Sequence, residues 1–268
     1  MFETAYAKIN LALHVRRRRE DGYHELETVF AFVDQGDLLT ASPAAYDVLN
    51  VTGEFAGALD NATGNVVMQA LNSLKHVPGW AVNLEKRLPV AAGLGGGSAD
   101  AGAIFRMVQR WSGLPDNWRE IAARLGADVP ACVESITCIG RGTGTELLSV
   151  VNDLAGKPVL LVNPRIPLST GPVFRGWSGI DEGPLPEGSA WEIALYGRND
   201  LELSAMELVS EVADVLELLR ASNAAVSRMS GSGATCFALY HDEQALAAAQ
   251  MEIQRKRPHW WTMAGKLR

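Results

Sequence analysis

Four of the five residues from Gly93 to Gly97 are glycine, and they stand between a strand-like stretch, Trp80 to Leu88, and a helical one, Ala101 to Trp111. Each glycine costs backbone entropy on folding, so a run this dense belongs where side chains are unwelcome. Strand, glycine loop and helix in that order bring unpaired backbone N–H groups and the positive end of a helix dipole to one point. That is an anion site, and a phosphate is its natural guest. A tight strand-to-helix turn alone would need fewer glycines. The loop is not a Walker A motif, because no Gly-Lys-Ser/Thr follows, and not a Rossmann fingerprint, because Gly93-x-Gly95-x-x ends on Ser98. Protein-kinase signatures of the HRD and DFG type do not occur.

The chain around this loop has 268 residues, 47% hydrophobic and 21% charged. At roughly 150 residues per domain it makes one large domain or two modest ones, either able to bury a core. Its 24 basic and 31 acidic residues give a net charge of −7, and the pI is near 5.3. That balance excludes a broad phosphate-backbone surface, which needs clustered Lys and Arg. The single basic run, Arg16 to Arg19, is too short to reverse it. No stretch approaches the roughly 18 to 20 consecutive apolar residues of a membrane span, and MFETAYAKIN lacks the pattern of a signal peptide. The expectation is a cytoplasmic protein with no membrane or nucleic-acid partner. Cys132, Cys138 and Cys236 fit that compartment: their number is odd, C-x5-C is not a zinc spacing, and apolar neighbours surround each. They read as buried free thiols.

The first strand alternates with period two: Ile9, Leu11, Leu13 and Val15 face one way, Lys8, Asn10, Ala12 and His14 the other. The ammonium, amide and imidazole in a row are either solvated edge decoration or the floor of a site. Further strands are expected over His24 to Val33, Tyr46 to Thr52, Trp80 to Leu88, Ile136 to Arg141 and Glu146 to Val151. Helices are expected over Asn65 to His76, capped by Thr63 or Asn65, and over Asp116 to Leu125. The polar, Gly- and Pro-punctuated segment Val151 to Pro158 is the best domain boundary. It divides the chain into a first domain, 1–152, and a second domain, 157–268. The second half reads as strand Val159 to Asn163, a Pro/Gly-rich loop to about Glu187, helices from Asp200 and Glu211, strands Ala225 to Met229 and Thr235 to Tyr240, helix Glu243 to Arg255 and strand Trp260 to Met263. That order predicts a ferredoxin-like split βαβ unit.

Two other places carry chemistry. Met229-Ser-Gly-Ser-Gly-Ala-Thr235 is either a hairpin device or a second phosphate wall. Asp128, just before Val129-Pro130, is either the N-cap of a short helix or a carboxylate near the phosphate acting on a hydroxyl.

Pro89-x-x-x-Gly93-Leu-Gly-Gly-Gly-Ser98-x-Asp100-Ala resembles the ATP-binding motif of the galactokinase, homoserine kinase, mevalonate kinase and phosphomevalonate kinase superfamily. Ala7-Lys-Ile-Asn10-Leu, Asp21-Gly-Tyr-His-Glu-Leu-Glu-Thr-Val29, Leu125-Gly-Ala-Asp-Val-Pro130, Arg198-Asn-Asp-Leu-Glu202 and Met229-Ser-Gly-Ser-Gly233 narrow it. Together they resemble the 4-diphosphocytidyl-2-C-methyl-D-erythritol kinases of non-mevalonate isoprenoid synthesis, in family order from the first strand to the last third of the chain. The resemblance implies an α+β two-domain kinase fold, with an N-terminal left-handed βαβ domain, a C-terminal ferredoxin-like domain and the active site in the cleft between them. It implies ATP as phosphoryl donor, Mg2+ accompanying it, and phosphorylation of the 2-hydroxyl of the cytidine diphosphate methylerythritol substrate.

Residue by residue, the resemblance makes Lys8 and Asp128 the catalytic pair. It gives ATP the loop Pro89, Val90, Ala91, Ala92, Gly93, Leu94, Gly95, Gly96, Gly97, Ser98 and Ala99. Tyr23 and His24 match the positions that hold the cytidine, and Thr170 and Phe174 those that flank the cytosine. These residue types suit the chemistry: phosphoryl transfer is mostly positioning and charge stabilisation, so an ammonium and a phosphate cradle serve it, and a carboxylate accepts the hydroxyl's proton. Asn10, two residues from Lys8 on the strand, can orient the substrate's polyol. The sequence departs from the family at Ala99, where a second serine is usual, leaving the hydroxyl contact to Ser98, and at Gly142-Thr-Gly144-Thr-Glu146, which carries an extra residue. Another superfamily kinase, acting on a mevalonate-like or sugar alcohol, is the alternative. The Gly-Tyr-His-Glu block, suited to a base, discriminates against it.

Overall fold

The computed structural model describes residues 1–59, 64–76 and 78–268. By contact the chain forms two compact units. One takes Met1–Lys8, Gln35–Val90 and Gly95–Ser135, the other Ile9–Asp34, Ala91–Leu94 and Ile136–Arg268. The segment Val151 to Pro158 falls inside the second unit, so these units are cut differently from 1–152 and 157–268. The reason is strand length. Strand β1 (Phe2–Arg18) has 17 residues and β2 (His24–Ala44) has 21, so each gives its two ends to different units.

In the first unit the C-terminal part of β2 pairs antiparallel with β4 (Gly79–Glu85), from Leu38↔Glu85 to Ala44↔Gly79. Strand β3 (Val48–Thr52) lies parallel to β4 on its other side. Four helices pack on one another: α1 (Val66–Ser73), α2 (Gly96–Ser112), α3 (Trp118–Leu125) and α4 (Val129–Glu134). They bury Val67, Leu71, Ile104, Phe105, Val108 and Ala122, the apolar stripes that their periodicity predicts. Asn65 caps α1, its side chain accepting from the Val67 N–H; Thr63 lies outside the described residues. Helix α2 begins five residues before the expected Ala101, because its first turn is built of the glycines themselves and carries no periodic signal.

In the second unit β5 (Cys138–Gly142) pairs antiparallel with the N-terminal part of β2, and β6 (Glu146–Ser149) with β5. A four-stranded antiparallel sheet follows, in the order β10 (Trp261–Lys266), β7 (Pro158–Asn163), β9 (Cys236–Leu239), β8 (Val226–Met229). Helices α5 (Thr170–Arg175), α6 (Ala190–Tyr196), α7 (Glu202–Leu208) and α8 (Glu211–Arg220) fill the first crossover, and α9 (Glu243–Lys256) the second. This is the expected ferredoxin-like order. The sheet and helices enclose a core that includes Leu160, Val162, Val212, Leu216, Ala238 and Ile253. Helix α5 sits inside the expected loop, and α6 lies between the end of that loop near Glu187 and the helix expected from Asp200. Only α6 announces itself, through the capping box of Ser189 and Glu192.

The solvated-edge alternative for β1 is overturned. Lys8 is 4% exposed, Asn10 3% and His14 0%, alongside the buried Ile9, Leu11, Leu13 and Val15. Alternation marks a strand with two unlike faces; it does not say which face is wet. Cys132, Cys138 and Cys236 are buried and free, as expected. Among the described residues no helix is long and apolar enough to cross a membrane.

Candidate active site

In the first unit Lys8 Nζ lies 3.0 Å from Asp128 Oδ2, the lysine buried and the carboxylate about one-third exposed. Asp128 holds the N-cap position of α4, yet its side chain makes no capping hydrogen bond. The carboxylate serves the lysine instead. Gly95, N-cap of α2 with φ +61°, lies against this pair: a Cβ there would come 3.0 Å from Lys8 Cε and 3.7 Å from Asp128 Oδ2. Thus the left-handed glycine that starts the helix, the ammonium and the carboxylate meet at the end of α2 that presents free N–H groups. Ser98 is close to the same corner, its Oγ 3.7 Å from where a Cβ on Gly126 would be.

Arg106, on α2, braces the geometry from behind. Its guanidinium donates to the carbonyls of Cys132 and Thr4 (2.7 Å for Thr4), to Ser135 Oγ at 2.9 Å and to Glu3 Oε1 at 2.9 Å. One side chain therefore ties α2 to the end of α4 and to the start of β1, the elements that carry Asp128 and Lys8. No motif in the sequence marks it.

Beneath the first turn of α2 lies a buried charge cluster. Lys86 Nζ donates to Asp37 Oδ2 and, at 2.7 Å, to Asp100 Oδ2, with all three side chains at most 3% exposed. A Cβ on Gly96 would sit 3.5 Å from that ammonium. Asp37 also accepts the Arg87 and Leu88 N–H groups on Oδ1, whereas Asp100 Oδ1 is buried with no hydrogen-bond partner. Burial, with Asp37 adding to it and Lys86 opposing it, pushes the Asp100 carboxyl up to about 8. A buried carboxyl with one oxygen left unpartnered holds its proton more tightly than an exposed one. Lys86, for which burial opposes the charge, is held above its ordinary value by the two carboxylates.

In the second unit His24 and Phe174 come together, ring centroids 5.0 Å apart. Trp177 stands edge-on to His24 at 5.8 Å, and Arg18 lies over Trp177 while donating to its carbonyl oxygen at 2.7 Å. His24 Nε2 is buried without a hydrogen-bond partner. Burial, and then the Arg18 charge, lower the His24 pKa below 6.5. A neutral imidazole with an unused nitrogen, among aromatic rings, is suited to the edge of a base. Tyr23 is 65% exposed, and its N–H donates to Asp21 Oδ1 at 3.0 Å in the turn that opens β2. Trp177 escaped sequence reasoning, although an aromatic three residues after Phe174 was a visible signal.

Asn10 donates from Nδ2 to Thr28 Oγ1 at 2.8 Å and from its N–H to Ser230 Oγ at 3.2 Å. Thr170 Oγ1 is 3.0 Å from Ser232 Oγ. Both therefore touch the turn Ser230 to Gly233, which itself lies against the first glycine loop: a Cβ on Gly93 (φ +76°) would come 2.1 Å from the Ser230 carbonyl oxygen. Only glycine fits there. Met229 to Thr235 is thus the turn of the β8–β9 hairpin and is also joined to the glycine loop.

The family description GHMP kinases N terminal domain matches residues 62–135, and GHMP kinases C terminal matches residues 189–258. A protein of Novosphingobium aromaticivorans named 4-diphosphocytidyl-2-C-methyl-D-erythritol kinase is 66% identical over 266 residues, 99% of this chain and 92% of that one. One of the same name from Erythrobacter litoralis is 58% identical, covering 99% of this chain and 98% of its own. A crystal structure of 4-(cytidine 5'-diphospho)-2C-methyl-D-erythritol kinase superposes with a TM-score of 0.83 at 32% identity, across 100% of this chain and 99% of that one.

Proposed function

The chain belongs to the GHMP kinases and, within them, to the 4-diphosphocytidyl-2-C-methyl-D-erythritol kinases, and we propose that it transfers the γ-phosphoryl group of ATP to the 2-hydroxyl of 4-diphosphocytidyl-2-C-methyl-D-erythritol. The observation that carries the mechanism is the Lys8–Asp128 pair lying against Gly95 at the start of α2. Asp128 accepts the hydroxyl proton, the freed oxygen bonds to the γ-phosphorus, and the bond from that phosphorus to the bridging oxygen of ADP breaks. Lys8 orients the carboxylate and offsets charge gathering on the transferring group. Backbone N–H groups of the loop from Pro89 to Ala99 hold the phosphates. Mg2+ would accompany ATP, carried on the nucleotide's own phosphates. His24, Phe174 and Tyr23 recognise the cytosine, Thr170 supports that side, and Asn10 orients the polyol.

A coupled assay of ADP release tests the reading. The cytidyl alcohol should be turned over with ATP, and mevalonate or a free sugar alcohol should not. Equal turnover of an alcohol that carries no base would favour the superfamily alternative.

A further inference from the structure

Within the second unit the segment Arg198 to Glu202 is bound to the turn Ser230 to Gly233 by one buried amide. Asn199 Nδ2 donates to the Met229 and Gly231 carbonyl oxygens, each at 2.8 Å, and its Oδ1 accepts the Leu201 N–H at 3.0 Å. The two carbonyls are those on either side of Ser230. Glu202 adds a contact from the same segment, accepting the Met229 N–H at 2.9 Å. Held in this way, Ser230 presents its Oγ to two partners: it donates to the Gly93 carbonyl at 2.7 Å and accepts the Asn10 N–H at 3.2 Å. The Thr235 N–H reaches the neighbouring Ala92 carbonyl at 3.2 Å. Gly93 has no room for even a methyl group against the Ser230 carbonyl.

We propose that Asn199 is a positioning residue for the phosphate loop: by gripping the carbonyls on both sides of Ser230 it fixes the hydroxyl that sets the Gly93 backbone and the Asn10 strand. The inference rests on reading Gly93 to Ser98 as the loop that holds ATP phosphates. An amide is required because two N–H groups must reach two carbonyls while one oxygen accepts. A carboxylate keeps the acceptor and turns its other oxygen against both carbonyls. Asp200, next in the chain, has a different task, accepting the Val15 N–H at 2.7 Å and the Arg198 guanidinium at 2.6 Å.

The test measures ATP binding by titration, KM for ATP, kcat and melting temperature on the full chain. Asn199→Asp should raise KM for ATP about ten-fold or more, the scale of buried carbonyls left unpaired. Ser230→Ala, a smaller change at the other end of the same link, should raise it in the same direction. The double variant should lose no more than the worse single one, because the two side chains act in series. Asp200→Asn should lower the melting temperature and leave KM for ATP within about two-fold, since it touches the strand and not the turn. If wild-type protein fails to bind ATP, the phosphate-loop reading falls and takes the inference with it. If the wild type binds ATP and folded Asn199→Asp or Ser230→Ala binds it equally well, the inference alone is overturned. Should Asn199→Asp not fold, Ser230→Ala decides.

Discussion

Lys8 and Asp128 are 120 positions apart in the chain and 3.0 Å apart in space, and in the proposed mechanism the two side chains act as one device. Asp128→Asn should lower kcat by roughly 10²-fold or more while ATP still binds, the scale of a lost general base. Lys8→Ala should do the same, and the double variant should lose far less than the product of the singles. Steady-state kinetics on all three measures this, and full turnover by Asp128→Asn would remove it from the reaction. At the base, Tyr23→Ala should raise KM for the cytidyl substrate about ten-fold with little change for ATP, as expected for ~1 to 3 kcal/mol of stacking. His24→Ala should weaken discrimination against a uridyl analogue, because a polar edge of the base then meets no partner. Since burial holds the His24 ring neutral below its usual 6.5, that discrimination should stay level as pH rises above 6.5. A preference that fades between pH 6.5 and 8 would mean that the charged ring does the reading.

At the level of elements, the first turn of α2 brings together the glycine run, the Lys8–Asp128 pair and a buried charge cluster. Gly95→Val places a branched side chain at φ +61° against Lys8, so nucleotide binding should collapse while the circular-dichroism melt remains cooperative. The cluster has its own signature. Folding raises the Asp100 carboxyl from 3.8 to about 8, so across that window the folded protein holds a proton that the unfolded chain has released. The stability this confers is fully present below pH 3.8 and is lost as pH rises to about 8. Melting temperature should therefore fall across that range, and Asp100→Asn, which cannot titrate, should flatten the fall. An identical pH profile in the variant would show that Asp100 is ionised throughout.

For the molecule as a whole, ATP binds the folded chain and not the unfolded one, so it should raise the melting temperature in proportion to the logarithm of its concentration. At 100 times Kd the gain is about 2.7 kcal/mol. The same titration on Gly95→Val should give no shift, which checks the loop without any turnover. Arg228, buried and donating to the Leu11, Ala194 and Gly197 carbonyls, should be the least replaceable cation of the second unit. Its loss strands three acceptors at once.

What the sequence by itself determined is local or periodic. The glycine run had to stand at a helix start, the alternation of Ile9 to Val15 had to be a strand, and the element order after Pro158 pointed to a split βαβ sheet. Family motifs quoted from the sequence already contained Lys8, Asp128, His24 and Asp100. Tertiary structure alone decided which groups meet. Lys8 could as well have been solvated, and Asp128 a simple cap, until burial joined them. Asp37 with Lys86, Arg106 across α2 and α4, Trp177 beside His24, and Asn199 on the carbonyls around Ser230 are pairings between segments far apart in the chain. Their partners are mostly backbone atoms or single side chains, which leave no period and no motif to read, since a carbonyl oxygen is the same at every residue.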